Sequence, residues 1–140
     1  MTDKCAKFID QLVSSVTDKA YDSKKSLLTD FDGIRDGGGF FLGGTRYGGA
    51  ASLSGKKVNE NSMYSNNVAA DSIGFLHEIL HIVAQADDQK LSQGVKDLGI
   101  SVIAYPGYIL PYPTDKDNRN LAYSGYWGQA LKNACTARGY

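Results

Sequence analysis

The chain has 140 residues, a formal net charge of zero from 15 basic and 15 acidic side chains, and a hydrophobic share of 42%. That length and apolar content suit one compact domain spanning residues 1–140 and exclude a disordered chain. The charge balance argues against nucleic acid as a partner. No apolar run approaches the ~20 residues of a membrane span, and the N-terminus lacks the apolar core of a signal peptide.

Residues 3–20 carry apolar side chains at helical spacing, including Phe8, Leu12 and Val16, which predicts a first helix. The stretch 23–31 is mixed. Residues 33–55 contain nine glycines, so short strands joined by tight turns are expected, with a further strand within 57–67.

A second helix is predicted from Asp71 or Ser72 to about Gln85, apolar on nearly all sides and therefore buried. A third follows, capped by Asp87 or Asp88 and stopped at Gly99. Three prolines predict irregular or edge-strand structure for residues 100–113, and residues 114–120 are expected to form a polar loop. A last helix is predicted from about residue 120 to 137, with Trp127 in the core.

The predicted second helix contains the run HEILH at residues 77–81, which holds the only two histidines of the chain. Residues four apart share a helix face, so His77 and His81 can bind one zinc ion. Glu78 projects beside them and can act as the general base that activates a zinc-bound water. Burying two imidazoles and a carboxylate on an apolar helix costs free energy unless a partner such as a metal ion binds them.

This motif resembles that of the zincin metallopeptidases. The resemblance covers about residues 71–88 and implies a zinc-dependent peptidase with a peptide or protein as substrate. It also implies an α+β fold: a small twisted sheet packed on the active-site helix, with an N-terminal and a C-terminal helix.

Catalytic zinc usually takes a third protein ligand. No histidine or glutamate follows His81, which excludes the thermolysin-like group. Asp87 lies where the metzincin pattern HExxHxxGxxH places this ligand, but Ala84 replaces the glycine and no methionine follows the helix. Asp87 or Asp88 can reach zinc only if the helix ends near residues 84–86 and the chain folds back. The alternative is that they cap the next helix.

The sequence around Asp115 and Asp117 loosely resembles the aspzincin pattern GTxDxxYG, so either aspartate is a candidate third ligand. The alternative is that both belong to a turn in a polar loop. Asp97 fits a solvated position on a helix. Tyr123 and Tyr126 are candidate donors to a reaction oxyanion, or ordinary packing residues.

Cys5 and Cys135 are either two buried thiols or a disulfide. The layout is also similar to metallopeptidase-like domains at the C-termini of large exported bacterial proteins, which favours the disulfide and an exported location. The chain is expected to be a monomer or a domain of a larger protein. Two other functions stay open: a non-catalytic zinc or interaction domain, and hydrolysis of a non-peptide amide.

Overall fold

A computed structural model of the chain describes residues 1–32, 35–38, 49–53, 57–60, 68–102 and 116–135. The helices in these ranges are α1 (Asp3–Thr17), α2 (Ser23–Asp32), α3 (Val68–Ala84), α4 (Asp88–Asp97) and α5 (Lys116–Cys135). Three short strands lie between α2 and α3: β1 (Arg35–Gly38), β2 (Gly49–Ser52) and β3 (Lys57–Glu60). The central strand β3 pairs in parallel with β1 and antiparallel with β2.

The predicted α+β class is wrong, because the described part of the chain is mainly helical. The helices have 10 to 20 residues each, whereas each strand has four. Every buried apolar residue that the structure describes lies on a helix or in the turn after α3. β1 reads RDGG and β2 reads GAAS, so these two strands contain no large apolar residue that could build a sheet layer of the core.

Helix α1 contributes one side of the hydrophobic core. Thr2 caps its start by accepting a hydrogen bond from Cys5 N, and Phe8, Ile9 and Leu12 are buried along one face. This face contacts α3, α4 and α5. The approach to α4 is close at Gly94, where a Cβ atom would lie 2.8 Å from Val16 Cγ2. A larger residue at this crossing would force the side chain of Val16 or Leu12 to shift.

Helix α5 closes the core from the other side. Its residues Trp127, Leu131 and Cys135 are almost completely buried. Cys135 forms a disulfide with Cys5 at the start of α1. Of the two alternatives for the cysteines, the structure therefore has the disulfide.

Several predicted boundaries change. The mixed stretch at 23–31 is helix α2, whose start is tied to α1 because Ser23 N donates to Asp10 Oδ1 at 2.6 Å. Helix α5 begins at Lys116, earlier than predicted. Most of the segments 33–55, 57–67 and 100–113 lies outside the described residues. None of the described helices combines the length and apolar character needed to cross a bilayer.

Candidate metal centre

The two histidines lie one turn apart on α3, with their ring centroids 5.2 Å apart. Helix α3 buries Ile73, Leu76 and Leu80 in the core. This packing holds the histidine face against α5. The side chains of His77 and His81 are only 14% and 10% exposed, so both imidazoles are largely shielded from water.

Helix α3 ends at Ala84 because Gln85 adopts a left-handed conformation with φ of 49°. Ala86 N then donates to His81 O, which closes the turn at 3.1 Å. The Gln85 side chain supports it by donating to Leu53 O at 3.0 Å and to Ile82 O at 2.8 Å. The chain reversal that lets a residue after α3 reach the imidazoles is thus made at Gln85, without a glycine.

The turn separates the roles of the two adjacent aspartates. Asp87 is the N-cap of α4, and its Oδ1 accepts from Lys90 N at 2.9 Å. The structure does not bring Asp87 to the imidazoles. Asp88 points to them instead, with Oδ1 2.9 Å from His81 Nε2 and 3.5 Å from His77 Nε2.

His77, His81 and Asp88 have the donor set and spacing of a metal site. One ligand atom from each residue lies within 4.8 Å of the others. A tetrahedral zinc ion with bonds near 2.0–2.1 Å separates its ligand atoms by about 3.3 Å, and the distances of 2.9 and 3.5 Å bracket that value. His81 Nδ1 lies 2.7 Å from Ala86 O, which favours the tautomer that leaves Nε2 free to bind a metal. These residues fit zinc.

Helix α5 contacts the candidate ligands through Trp127 and Ser124. The Trp127 indole stacks on the His77 ring, with centroids 3.8 Å apart and planes at 27°, and meets the His81 ring edge-on at 5.2 Å. Its Nε1–H donates to Asp88 Oδ1 at 2.8 Å. Ser124 Oγ lies 3.4 Å from His77 Nε2. Trp127 was expected only in the core; its sequence spacing gives no sign of the contact with Asp88.

The electrostatics of the three groups reflect burial and mutual contact. Burial lowers the pKa of His77 below its usual value, against the opposing effect of Asp88. Burial also opposes protonation of His81, but the hydrogen bond and charge of Asp88 outweigh it and raise the pKa of His81. Burial alone would raise the pKa of Asp88. Hydrogen bonds from both imidazoles outweigh this effect and hold the pKa of Asp88 well below the usual range. Asp88 is therefore an anion at neutral pH.

Glu78 follows His77 directly and is buried, with 9% of its surface exposed. Its charge is close enough to His81 to contribute to the raised pKa of that imidazole. A buried carboxylate thus lies within electrostatic range of His81.

Asp97, Tyr126 and the Tyr123 backbone make contacts with residues outside this group. Asp97 lies at the end of α4 and accepts from Gln93 Nε2. Tyr126 contacts Lys96, whose Nζ lies 5.4 Å from the ring, and the Tyr123 carbonyl accepts from Ser92 Oγ. The following lie outside what the structure describes: Asp115, the side chain of Asp117, Tyr105, Tyr108, Tyr112 and Tyr140.

Comparison of the chain with models of protein families, with curated proteins and with solved structures found no match. The case for a function therefore depends on the motif and on the geometry around it.

Proposed function

We propose that the protein is a zinc-dependent hydrolase that cleaves peptide bonds, with His77, His81 and Asp88 as metal ligands and Glu78 as general base. The observation that carries this proposal is the meeting of two imidazoles and a carboxylate within 4.8 Å of one another. The buried Glu78 follows His77 in sequence, and its charge acts on the pKa of His81. Three protein ligands leave a fourth position of a zinc tetrahedron for water or substrate.

A zinc ion held there would act as a Lewis acid toward the substrate carbonyl and would make water more acidic. The protein contributes the rest. Ala86 O fixes the tautomer and orientation of His81, and Asp88 supplies a negative charge that offsets part of the charge of a cation. Glu78 takes the proton from the attacking water and passes it to the leaving amine.

We infer a peptide or protein substrate, since the zero net charge of the chain offers no general attraction for nucleic acid or for an anionic membrane. The Cys5–Cys135 disulfide supports a location in an oxidising compartment outside the cytosol. These two inferences belong to the proposal and stand or fall with it.

The test compares Glu78→Gln with Glu60→Gln, because these are the only two glutamates of the chain. Both variants should take up one zinc ion per chain by metal analysis. Glu78→Gln should lower kcat/KM on a peptide library by at least about 100-fold, whereas Glu60→Gln should stay near wild type. Full activity of Glu78→Gln would refute the role of this residue, and a zinc-loaded wild type that cleaves no peptide would refute the substrate class.

A second candidate is a non-catalytic zinc site in an interaction domain. It is favoured by the low exposure of both histidines and by Ser124 Oγ, 3.4 Å from His77 Nε2, which narrows the space beside that nitrogen. X-ray absorption of the zinc-loaded protein separates the two candidates. Four ligands from the protein would favour the non-catalytic site, and three with one exchangeable oxygen would favour the hydrolase.

A further inference from the structure

Trp127 contacts every member of the metal-ligand group. Its indole Nε1–H donates to Asp88 Oδ1, its ring stacks on His77, and the His81 ring meets it edge-on. It is fully buried and is the only tryptophan of the chain.

The hydrogen bond to Asp88 has a specific consequence. Oδ1 is also the oxygen nearest to both Nε2 atoms, at 2.9 Å for His81 and 3.5 Å for His77. A donor that binds this oxygen fixes the rotamer of the carboxylate at the point where the imidazoles converge. A buried indole N–H needs a hydrogen-bond acceptor, so burial of Trp127 also favours the conformation in which its N–H donates to Asp88 Oδ1.

The stacking fixes His77 in the same way. The centroids of the indole ring and the His77 ring lie 3.8 Å apart. At the next position of α5, a Cβ atom added to Gly128 would lie 3.3 Å from His77 Nδ1. The imidazole therefore has little freedom to rotate.

We propose that Trp127 is a positioning residue of the metal centre, whose N–H orients Asp88 and whose ring orients His77 before a metal ion binds. The inference rests on the proposed metal site and adds a determinant of its affinity. Groups held in the binding geometry lose less conformational freedom on binding, so preorganisation raises affinity. Outer-shell partners of metal ligands typically contribute 10- to 100-fold to affinity.

The main test is Trp127→Phe, which keeps an aromatic ring beside His77 but removes the N–H donor to Asp88. The dissociation constant for Zn²⁺, measured by competition with a chromophoric chelator, should rise about 10- to 100-fold. The Co²⁺-loaded variant should show an altered visible spectrum because the ligand geometry is less uniform.

The matched control is Leu131→Ala, which also removes buried surface from α5. Circular dichroism should show that both variants are folded at the temperature of the titration. Leu131→Ala should lower the melting temperature but leave the zinc dissociation constant of the folded protein close to wild type. Equal weakening of zinc binding in both variants would reduce Trp127 to an ordinary core residue and overturn the inference.

A second measurement uses the wild-type chain and does not depend on the folding of a Trp127 variant. One tryptophan gives one indole N–H signal in a ¹⁵N–¹H spectrum. This signal should exchange slowly with solvent, shift during a Zn²⁺ titration with the midpoint of metal uptake, and move in Asp88→Ala. A signal that responds to neither change would overturn the proposed role.

The outcomes for Trp127 and for the hydrolase are distinguishable. Wild-type zinc affinity in Trp127→Phe would overturn the positioning role and leave the hydrolase proposal intact. Weakened zinc binding in Trp127→Phe, together with full activity of Glu78→Gln, would support the positioning role and refute the catalytic one. A wild-type chain that takes up no zinc would overturn both.

Discussion

His81 Nε2 lies 2.9 Å from Asp88 Oδ1, although the two residues belong to different helices. The turn at Gln85 makes this contact, because it directs α4 back toward the histidine face of α3. The same turn assigns the adjacent Asp87 to helix capping.

The two adjacent aspartates should respond differently to substitution. Asp88→Ala removes a proposed metal ligand, so zinc affinity should fall by more than the roughly 100-fold upper effect of a change to an outer-shell partner. Asp87→Ala removes the N-cap of α4 and should lower the free energy of unfolding by about 1 kcal/mol, with zinc affinity near wild type. Zinc titration and urea unfolding of both variants measure this. The reverse pattern would make Asp87 the ligand.

The left-handed turn at Gln85 should tolerate glycine but not valine. Both substitutions remove the side-chain hydrogen bonds to Leu53 O and Ile82 O, so Gln85→Gly is the matched control. Gln85→Val forces a β-branched residue to positive φ, at a cost of about 1–2 kcal/mol. We expect lower stability and weaker zinc binding for the valine variant, by thermal unfolding and metal titration. Identical behaviour of the two variants would contradict the structure of this turn.

Zinc should stabilise the protein less as the pH falls. Without metal, the raised pKa of His81 stabilises the fold below the unfolded-state pKa of about 6.5, and this contribution is lost as the pH rises through the folded-state pKa. Zinc binding has the opposite dependence, because it requires deprotonated imidazoles.

The zinc-induced rise in melting temperature should therefore shrink between about pH 7.5 and about pH 5.5, a range that spans the ordinary histidine pKa. Protein treated with a chelator at each pH is the control. A zinc-induced rise of equal size at both pH values would argue against histidine ligands.

The Cys5–Cys135 disulfide should be a large contributor to stability, because it closes a loop with a sequence separation of 130. On the chain-entropy model, its loss lowers the free energy of unfolding by up to about 5 kcal/mol. Cys5→Ala combined with Cys135→Ala, compared with wild type in urea, measures the effect. Reducing agent should destabilise the wild type and leave the double variant unchanged. A double variant as stable as wild type would contradict this prediction.

Much of the helical framework could be predicted from periodicity and capping residues. The face of α1 that includes Phe8 and Leu12 is buried as expected, and the start of α4 at Asp88 follows from its cap. Helix α2 was missed because its apolar positions are few and its start depends on a contact between Ser23 and Asp10 across the chain. The α+β class was implied by the resemblance of residues 71–88 to zincins, and it was wrong because the described part of the chain is mainly helical.

By itself, the sequence determined which atoms can bind a metal. The spacing of His77 and His81 places two imidazoles on one helical face, because the period of the α-helix fixes which residues are neighbours. Only the tertiary structure decided which aspartate joins them and that Trp127 contacts all three. The direction of the chain after Gln85 and the packing of α5 depend on contacts between residues distant in sequence, and no local pattern specifies those contacts.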